Sequence, residues 1–380
     1  MSPPAAAREA HGRFRGWLFA DALPIWWDRG ADRAGGGFVD RLELDGRPAA
    51  GVRRVRVQAR QAFVYALARR LGWEGPAAEA YAHAIAGVRP LVCEDGLYRI
   101  APGAPAPLDG MGLLYDQAFV LLALAAAHAT FGDPEAETEA ERLARRLQAF
   151  AHPLGGYSEA PGLAEPLFAN PNMHLFESFQ AWSVASPARS WKALADIERD
   201  LALGRLIDPT TGALGERFSL GWSAPAQAED RIVWPGHLYE WAFLLMSWDE
   251  SEPARAAALR LIEIAETAGV DRESGVVYYA LDEDLAPIDR GGRLWSQTER
   301  LRACAAAAAL TGDAGLWDAA LQSHGVLERF LETPTRGLWR DRIEPDGSFR
   351  EEPAPASSLY HLASALEGLE AALLGPAVGA

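Results

Sequence analysis

A chain of 380 residues with 49% hydrophobic content has material for a large buried core, which excludes disorder as its default state. Its 36 Lys and Arg against 52 Asp and Glu give a formal net charge of -16, so there is no electrostatic footprint for nucleic acid or an anionic membrane, and neutral substrates fit best. Two cysteines, Cys93 and Cys304, cannot build a disulfide framework, and a reducing compartment is the simpler expectation.

The chain opens with MSPPAAAREAHGRFRGW, whose charges are spread through it with no apolar leader core, and no later segment is expected to reach a membrane-spanning length. A soluble, cytoplasmic protein is therefore expected. From there a glycine followed by bulky apolar residues recurs in GGFVD, DGLYRI, GGYSE, TGALGERF, SGVVYYA and RGLWRD, at Gly37, Gly96, Gly156, Gly212, Gly275 and Gly337. Successive spacings are 59, 60, 56, 63 and 62 residues. After each glycine element comes a stretch of mostly small and apolar residues, the pattern of a buried helix. In chain order these are QARQAFVYALA, YDQAFVLLALAAA, HLFESFQAWSVA, GHLYEWAFLLM, SQTERLRACAAAAAL and YHLASALEGLEAALL. Between them lie charged amphipathic stretches such as DPEAETEAERLARRLQAF and SEPARAAALRLIEIAE, which read as helices with one wet face.

Six buried helices alternating with six half-exposed ones predict an all-α fold, an (α/α)6 barrel of six helical hairpins forming one domain over residues 1–380. No Pro/Gly/Ser linker interrupts the series. The bland alternative is an irregular helical solenoid used for protein binding.

In such a ring the inner helices run parallel and their first turns converge on one rim. Arg60, Asp116, His174, His237, Gln297 and His361 are spaced 56, 58, 63, 60 and 64 residues apart, so near-equivalent places in the repeat are expected for them. A lone histidine at a helix start is usually structural; three at one phase of a repeat point to a site. Helix N-termini keep imidazoles neutral, and Arg60 would stabilise a developing oxyanion, which suits proton abstraction beside a carbonyl through an enediolate. Three chemical rivals remain at this point. Three histidines and a carboxylate are metal-ligand types, although no HExxH-like chelating spacing occurs and the expectation is no metal and no cofactor. Asp116 and Glu299 would be the acid and base of a glycoside hydrolase. The HxxE pairs at His174/Glu177 and His237/Glu240 would only orient the rings.

The segments QARQAFVYA, NPNMHLFESF, WPGHLYEWAFLL, WSQTER and SSLYHL, in this order over essentially the whole chain, resemble the N-acylglucosamine 2-epimerase superfamily. Its members include mannose isomerases, sulfoquinovose isomerase and cellobiose 2-epimerases. The resemblance implies an (α/α)6 barrel and metal-free histidine acid/base catalysis on sugars. It assigns His237 and His361 as the acid/base pair, with His361 the base at the C2 proton and Glu240 the hydrogen-bonding neighbour of His237. Arg60 would hold the substrate oxygens and the enediolate, while Tyr115, Asn170 and His174 contact the sugar and Trp295 stacks on it. The expected partner is a small-molecule sugar, with a homodimer left open. No tryptophan precedes the last histidine in PAPASSLYH, unlike the disaccharide epimerases, and the NPNMHLFE and SSLYHL forms look most like mannose or mannose-phosphate isomerases. D-mannose and D-fructose are the expected pair, with a 2-epimerase acting on N-acylglucosamine and a mannose-6-phosphate isomerase as alternatives. A phosphosugar would need a basic clamp, for which Arg54, Arg56 and Arg231 are available, although no phosphate loop is present.

Overall fold

The computed structural model describes residues 3–104, 114–159, 162–187 and 190–375. The first helix, α1 (Ala5–Trp17), runs on through wide turns and the short α2 (Leu23–Ile25) to Gly30. Five outer–inner alternations follow from the inner helix α3 (Val55–Arg70): α4 (Ala77–Val88), α5 (Leu114–Phe131), α6 (Pro134–Leu147), α7 (Ala169–Ala185), α8 (Trp191–Leu201), α9 (Pro235–Trp248), α10 (Glu252–Ala268), α11 (Leu294–Thr311), α12 (Ala314–Leu331) and α13 (Ser358–Leu374). The odd-numbered helices from α3 to α13 form the inner ring and are buried over most of their surface. Helices α1, α4, α6, α8, α10 and α12 form the outer ring, each burying one stripe of mainly small residues such as Ala136, Ala140 and Leu143 of α6. Packing of α13 against α3, and of α1 against α12 and α13, closes the circle. This is the (α/α)6 barrel that the repeat predicts.

One expectation is corrected. Helix α5 has 18 residues and is apolar enough to cross a membrane by length and composition, but 72% of that window is buried in the protein, so its hydrophobicity is that of an inner-ring core helix.

Four two-stranded ladders stitch the loops on the N-terminal rim of the inner ring. They are β1 (Arg41–Leu42) with β8 (Ala354–Pro355), β2 (Leu167–Phe168) with β3 (Arg217–Phe218), β4 (Ala280–Leu281) with β5 (Pro287–Asp289), and β6 (Gly292–Arg293) with β7 (Arg342–Ile343), all antiparallel. The β1–β8 pair joins the first loop to the last, so the ring is closed by hydrogen bonds as well as by helix packing.

All six repeat glycines have positive φ, between 67° and 87°, a conformation that costs an L side chain about 1–2 kcal/mol. The bulky residue after the glycine then docks onto the first turn of the next inner helix through a side-chain amide. Gln58 accepts from the Phe38 amide and donates to its carbonyl, at 2.6 and 2.8 Å. Gln117 does the same to Tyr98, Asn172 to Tyr157, and Gln297 accepts from Val277. Each of these amides is the fourth residue of its helix. Gln297 is therefore a structural clamp and not part of the rim site, a correction to the shared phase read from spacing. The six residues read as equivalent hold the third, fourth and sixth places of their helices, and His361, also a fourth residue, lines the cavity, so spacing alone does not separate clamp from site.

Gly337 sets a local limit, because a Cβ there would stand 2.4 Å from the Asp21 carbonyl oxygen, whereas Gly347, with a similar φ, faces open space. We expect Gly347→Ala to cost only the dihedral term of about 1–2 kcal/mol and Gly337→Ala to cost at least about 2 kcal/mol more, read as the difference in urea midpoint at constant m-value.

Candidate active site

The first turns of the inner helices surround a cavity of about 180 Å3, room for one sugar ring. Every site residue that the family resemblance assigns lines it: Arg60 from α3, Tyr115 from α5, Asn170 and His174 from α7, His237 and Glu240 from α9, Trp295 from α11 and His361 from α13. Trp234, Tyr279, Arg293, Ser357 and Ser358 complete the wall and were not anticipated. Apart from Ser358, the first residue of α13, they fall in the connections ahead of the inner helices, two of them inside segments already notable in the sequence: Trp234 in WPGHLYE, Tyr279 in SGVVYYA.

Trp295 is the centre of an aromatic plate, its ring 5.0 Å from that of His237 and 5.7 Å from that of His361. Trp234 packs on the other side of His237 at 4.9 Å and stacks on Tyr279. Such a surface suits the apolar C–H face of a sugar. His174 sits deeper, against Phe119 and Tyr115.

Each of the three histidines has its Nδ1 on a carboxylate. His361 Nδ1 donates to Glu299 at 2.7 Å, His174 Nδ1 to Glu177 at 3.2 Å, and His237 Nδ1 lies 2.9 Å from both oxygens of Glu216. A carboxylate on Nδ1 fixes the tautomer and leaves Nε2 free as acid or base. The partner of His237 corrects the sequence reading, which gave that place to Glu240. A residue three further along a helix is within reach of its neighbour, but Glu216 arrives from the strand-bearing loop ahead of β3 and is the one bonded. No sequence spacing signals it, since the contact crosses 21 residues of irregular chain.

Below the histidines lies a buried charged layer. Arg302 binds Glu299 through Nε and reaches Glu240 through Nη2 at 3.4 Å. Glu177 also accepts from the Tyr360 hydroxyl. Two carboxylates share one guanidinium, so they hold about one proton between them. Burial and the neighbouring Glu299 push Glu240 well above the usual carboxylate range, and its Oε2 has no hydrogen-bond partner. Glu240 is thus the protonated member. Burial lifts Glu299 as well, to about 7, but the charge and hydrogen bond of Arg302 oppose that rise, so with two donors on it Glu299 is the member that ionises more readily and supports His361.

Glu240, Glu299 and His361 could each offer one atom to a cation within a 4.8 Å cluster. The guanidinium of Arg302 already lies against both carboxylates, and a dication would have to displace or repel it, so this donor set fits proton chemistry better than metal binding.

Burial depresses the imidazoles of His361 and His174. His361 is held well below 6.5 by desolvation first and then by Arg60 and Arg302, and His174 is pushed down to about 4 mainly by burial. Neutral imidazoles were expected, but the sequence reading credited the helix ends, whereas burial and two arginines are the causes found.

Asp116, a candidate glycosidase carboxylate, lies behind Tyr115 in an ion pair with Arg56 and does not line the cavity. Glu299, its proposed mate, is committed to His361. Arg54, Arg56 and Arg231, the candidate phosphate clamp, are paired with Asp40, Asp116 and Glu283 and also lie outside the lining. Arg60 differs. Among the described residues it has no carboxylate within ion-pair distance, donating instead to the Tyr115 hydroxyl and lying 4.0 Å over the Phe119 ring.

Comparison with known proteins gives the family of the chain. The profile of the N-acylglucosamine 2-epimerase (GlcNAc 2-epimerase) family matches residues 36–365. The chain is 41% identical over 379 residues to the mannose-6-phosphate isomerase of Rhizobium meliloti (strain 1021), covering 94% of this chain and 96% of that one. It is 30% identical to the D-mannose isomerase of Thermobifida fusca, covering 89% and 88%. A crystal structure of a D-mannose isomerase superposes with a TM-score of 0.86 at 20% identity, over 97% of this chain and 99% of that one. A barrel with paired histidines at its rim defines an enzyme of the sugar isomerase and epimerase class. The chain belongs to the N-acylglucosamine 2-epimerase family.

A base works deprotonated, so a depressed pKa moves its loss of activity to lower pH. We expect kcat/KM to stay level as pH falls through 6.5 and to drop only at more acid values where His361 takes a proton. Glu299→Gln removes the charge on Nδ1 and is expected to lower kcat by about 10–100-fold with KM little changed. A pH–rate profile of both proteins checks the two outcomes.

Proposed function

We propose that this enzyme interconverts D-mannose and D-fructose through an enediolate, with His361 as the carbon base. The observation that carries this reading is the pair of histidines, each with Nδ1 on a buried carboxylate, flanking Trp295 in a cavity sized for one sugar ring. The relatives bearing mannose isomerase and mannose-6-phosphate isomerase names support the choice of sugar.

His237, through Nε2, opens the ring by moving a proton between the anomeric hydroxyl and the ring oxygen. His361 Nε2 then takes the C2 proton; the C–H pair becomes the C1–C2 double bond, and the carbonyl pair moves onto O1. Arg60, the cavity arginine without a carboxylate, holds that oxyanion. O1 gains a proton and O2 loses one, the bond to O2 becomes a carbonyl, and His361 returns its proton to C1. Tyr115, Asn170 and His174 hold the hydroxyls while Trp295 supports the carbon chain.

A 2-epimerase would use the same residues, with His237 returning a proton to the opposite face of C2. NMR of the protein with D-mannose in D2O separates the two. Fructose labelled at C1 is the expected product; glucose labelled at C2 would replace the isomerase reading with epimerisation. His361→Ala is expected to retain its near-UV circular dichroism while losing about 100-fold or more in both turnover and C–H exchange.

A further inference from the structure

We propose that Asp341, acting through Arg293, is a specificity-determining residue that fits this pocket to an uncharged sugar and rejects one carrying a phosphate. The proposal rests on the isomerase reading above and adds the substrate class of that site.

Arg293 is one of the two arginines lining the cavity. Its Nε and Nη2 both bind Asp341 Oδ2, at 2.8 and 2.6 Å. Asp341 is 2% exposed, and its other oxygen, Oδ1, accepts from the Ser358 hydroxyl at 2.9 Å. The backbone is fixed as well. The Asp341 carbonyl accepts from the Leu294 amide at the start of α11, and the next residue, Arg342, pairs with Arg293 in the β6–β7 ladder. Four elements thus converge to hold one buried carboxylate behind one cavity-facing guanidinium.

An arginine that recognises phosphate offers a free fork of donors and an uncompensated charge. Arg293 has neither, because Nε and Nη2 are committed to Asp341. Nη1 is left for a hydroxyl, which suits a neutral sugar. A phosphate dianion placed here would compete with Asp341 for the fork and face its negative charge in a poorly screened wall. The other cavity arginine, Arg60, is assigned to the enediolate, so a phosphate drawn to it would displace the reacting carbons. Arg231, a candidate for a phosphate clamp, is likewise paired, with Glu283. Kinship with a chain named for mannose 6-phosphate is therefore outweighed by charge compensation in this wall.

The test is the ratio of kcat/KM for mannose 6-phosphate to that for mannose, in the natural enzyme and in Asp341→Asn, which keeps the shape of the carboxylate and frees the charge of Arg293. The natural enzyme is expected to favour mannose by about 100-fold or more. Asp341→Asn is expected to raise the ratio by at least about 10-fold, whereas Arg293→Gln, lacking the cation, gives no such rise. A purely structural ion pair would lower both substrates together and leave the ratio unchanged, which overturns the proposal. So does a natural enzyme that uses mannose 6-phosphate as well as or better than mannose, although ketose formation would then leave the isomerase reading standing. Failure to convert either sugar removes that reading and the proposal with it. The natural enzyme's ratio decides the matter even where a variant fails to fold.

Discussion

The rim site depends on one buried cation. Arg302 is 3% exposed in its side chain, lies against the Phe243 ring, and bridges Glu299 and Glu240. Removing it would leave two buried carboxylates uncompensated, a state far more costly than the intact pair. With it in place, Glu299 can remain charged at the foot of His361, and His361 can remain neutral with its Nδ1 proton engaged. The cation that stabilises the carboxylate also helps to depress the imidazole. Structure and reactivity are set by the same group.

The ring itself is held by a repeated and simpler device. In four of the six repeats the fourth residue of the inner helix is an amide that clamps the preceding glycine loop. The two repeats without that amide are those of α9 and α13, where the fourth residues are Leu238 and His361 and the third residue of α9 is His237. The proposed acid/base pair thus stands where the scaffold has given up its clamp. Their loops are secured by other means: β3, in the loop ahead of α9, pairs with β2, and the β1–β8 ladder lies just ahead of α13. Such exchange of a stabilising contact for a reactive one is how a symmetric scaffold acquires an asymmetric site.

Much of this was legible in the sequence because the repeat is written in glycine. Positive φ admits few other residues, so Gly37 through Gly337 mark the six loops without reference to any fold. The inner helices followed from their small, apolar composition, Arg60 and the three histidines followed from the repeat, and Tyr115, Asn170, Glu240 and Trp295 came from the family resemblance. What escaped detection had a common cause. Trp234 and Tyr279 reach the cavity, and Glu216 reaches His237, from irregular loops, and Arg293 from a two-residue strand, where neither period 3.6 nor period 2 relates position to direction. Gln297 has the same place in its helix as His361, so spacing could not tell the clamp from the site. Glu240 was found in the cavity but given the wrong contact, since sequence proximity on a helix favoured it over a residue brought in by loop folding.

The arrangement of charge bears on the class of chemistry more than the fold does, because helical rings of this shape can carry hydrolytic as well as isomerising sites. A hydrolase that protonates a leaving group needs two carboxylates open to the substrate. Here Glu299, Glu177 and Glu216 are bonded to Nδ1 of His361, His174 and His237 and do not line the cavity, and among the described residues the carboxyl that does, Glu240, is held protonated. The atoms presented to a ligand are imidazole nitrogens, hydroxyls and one unpaired guanidinium. That set moves protons between neutral positions and stabilises a single transient negative charge, which are the demands of shifting a carbonyl along a sugar.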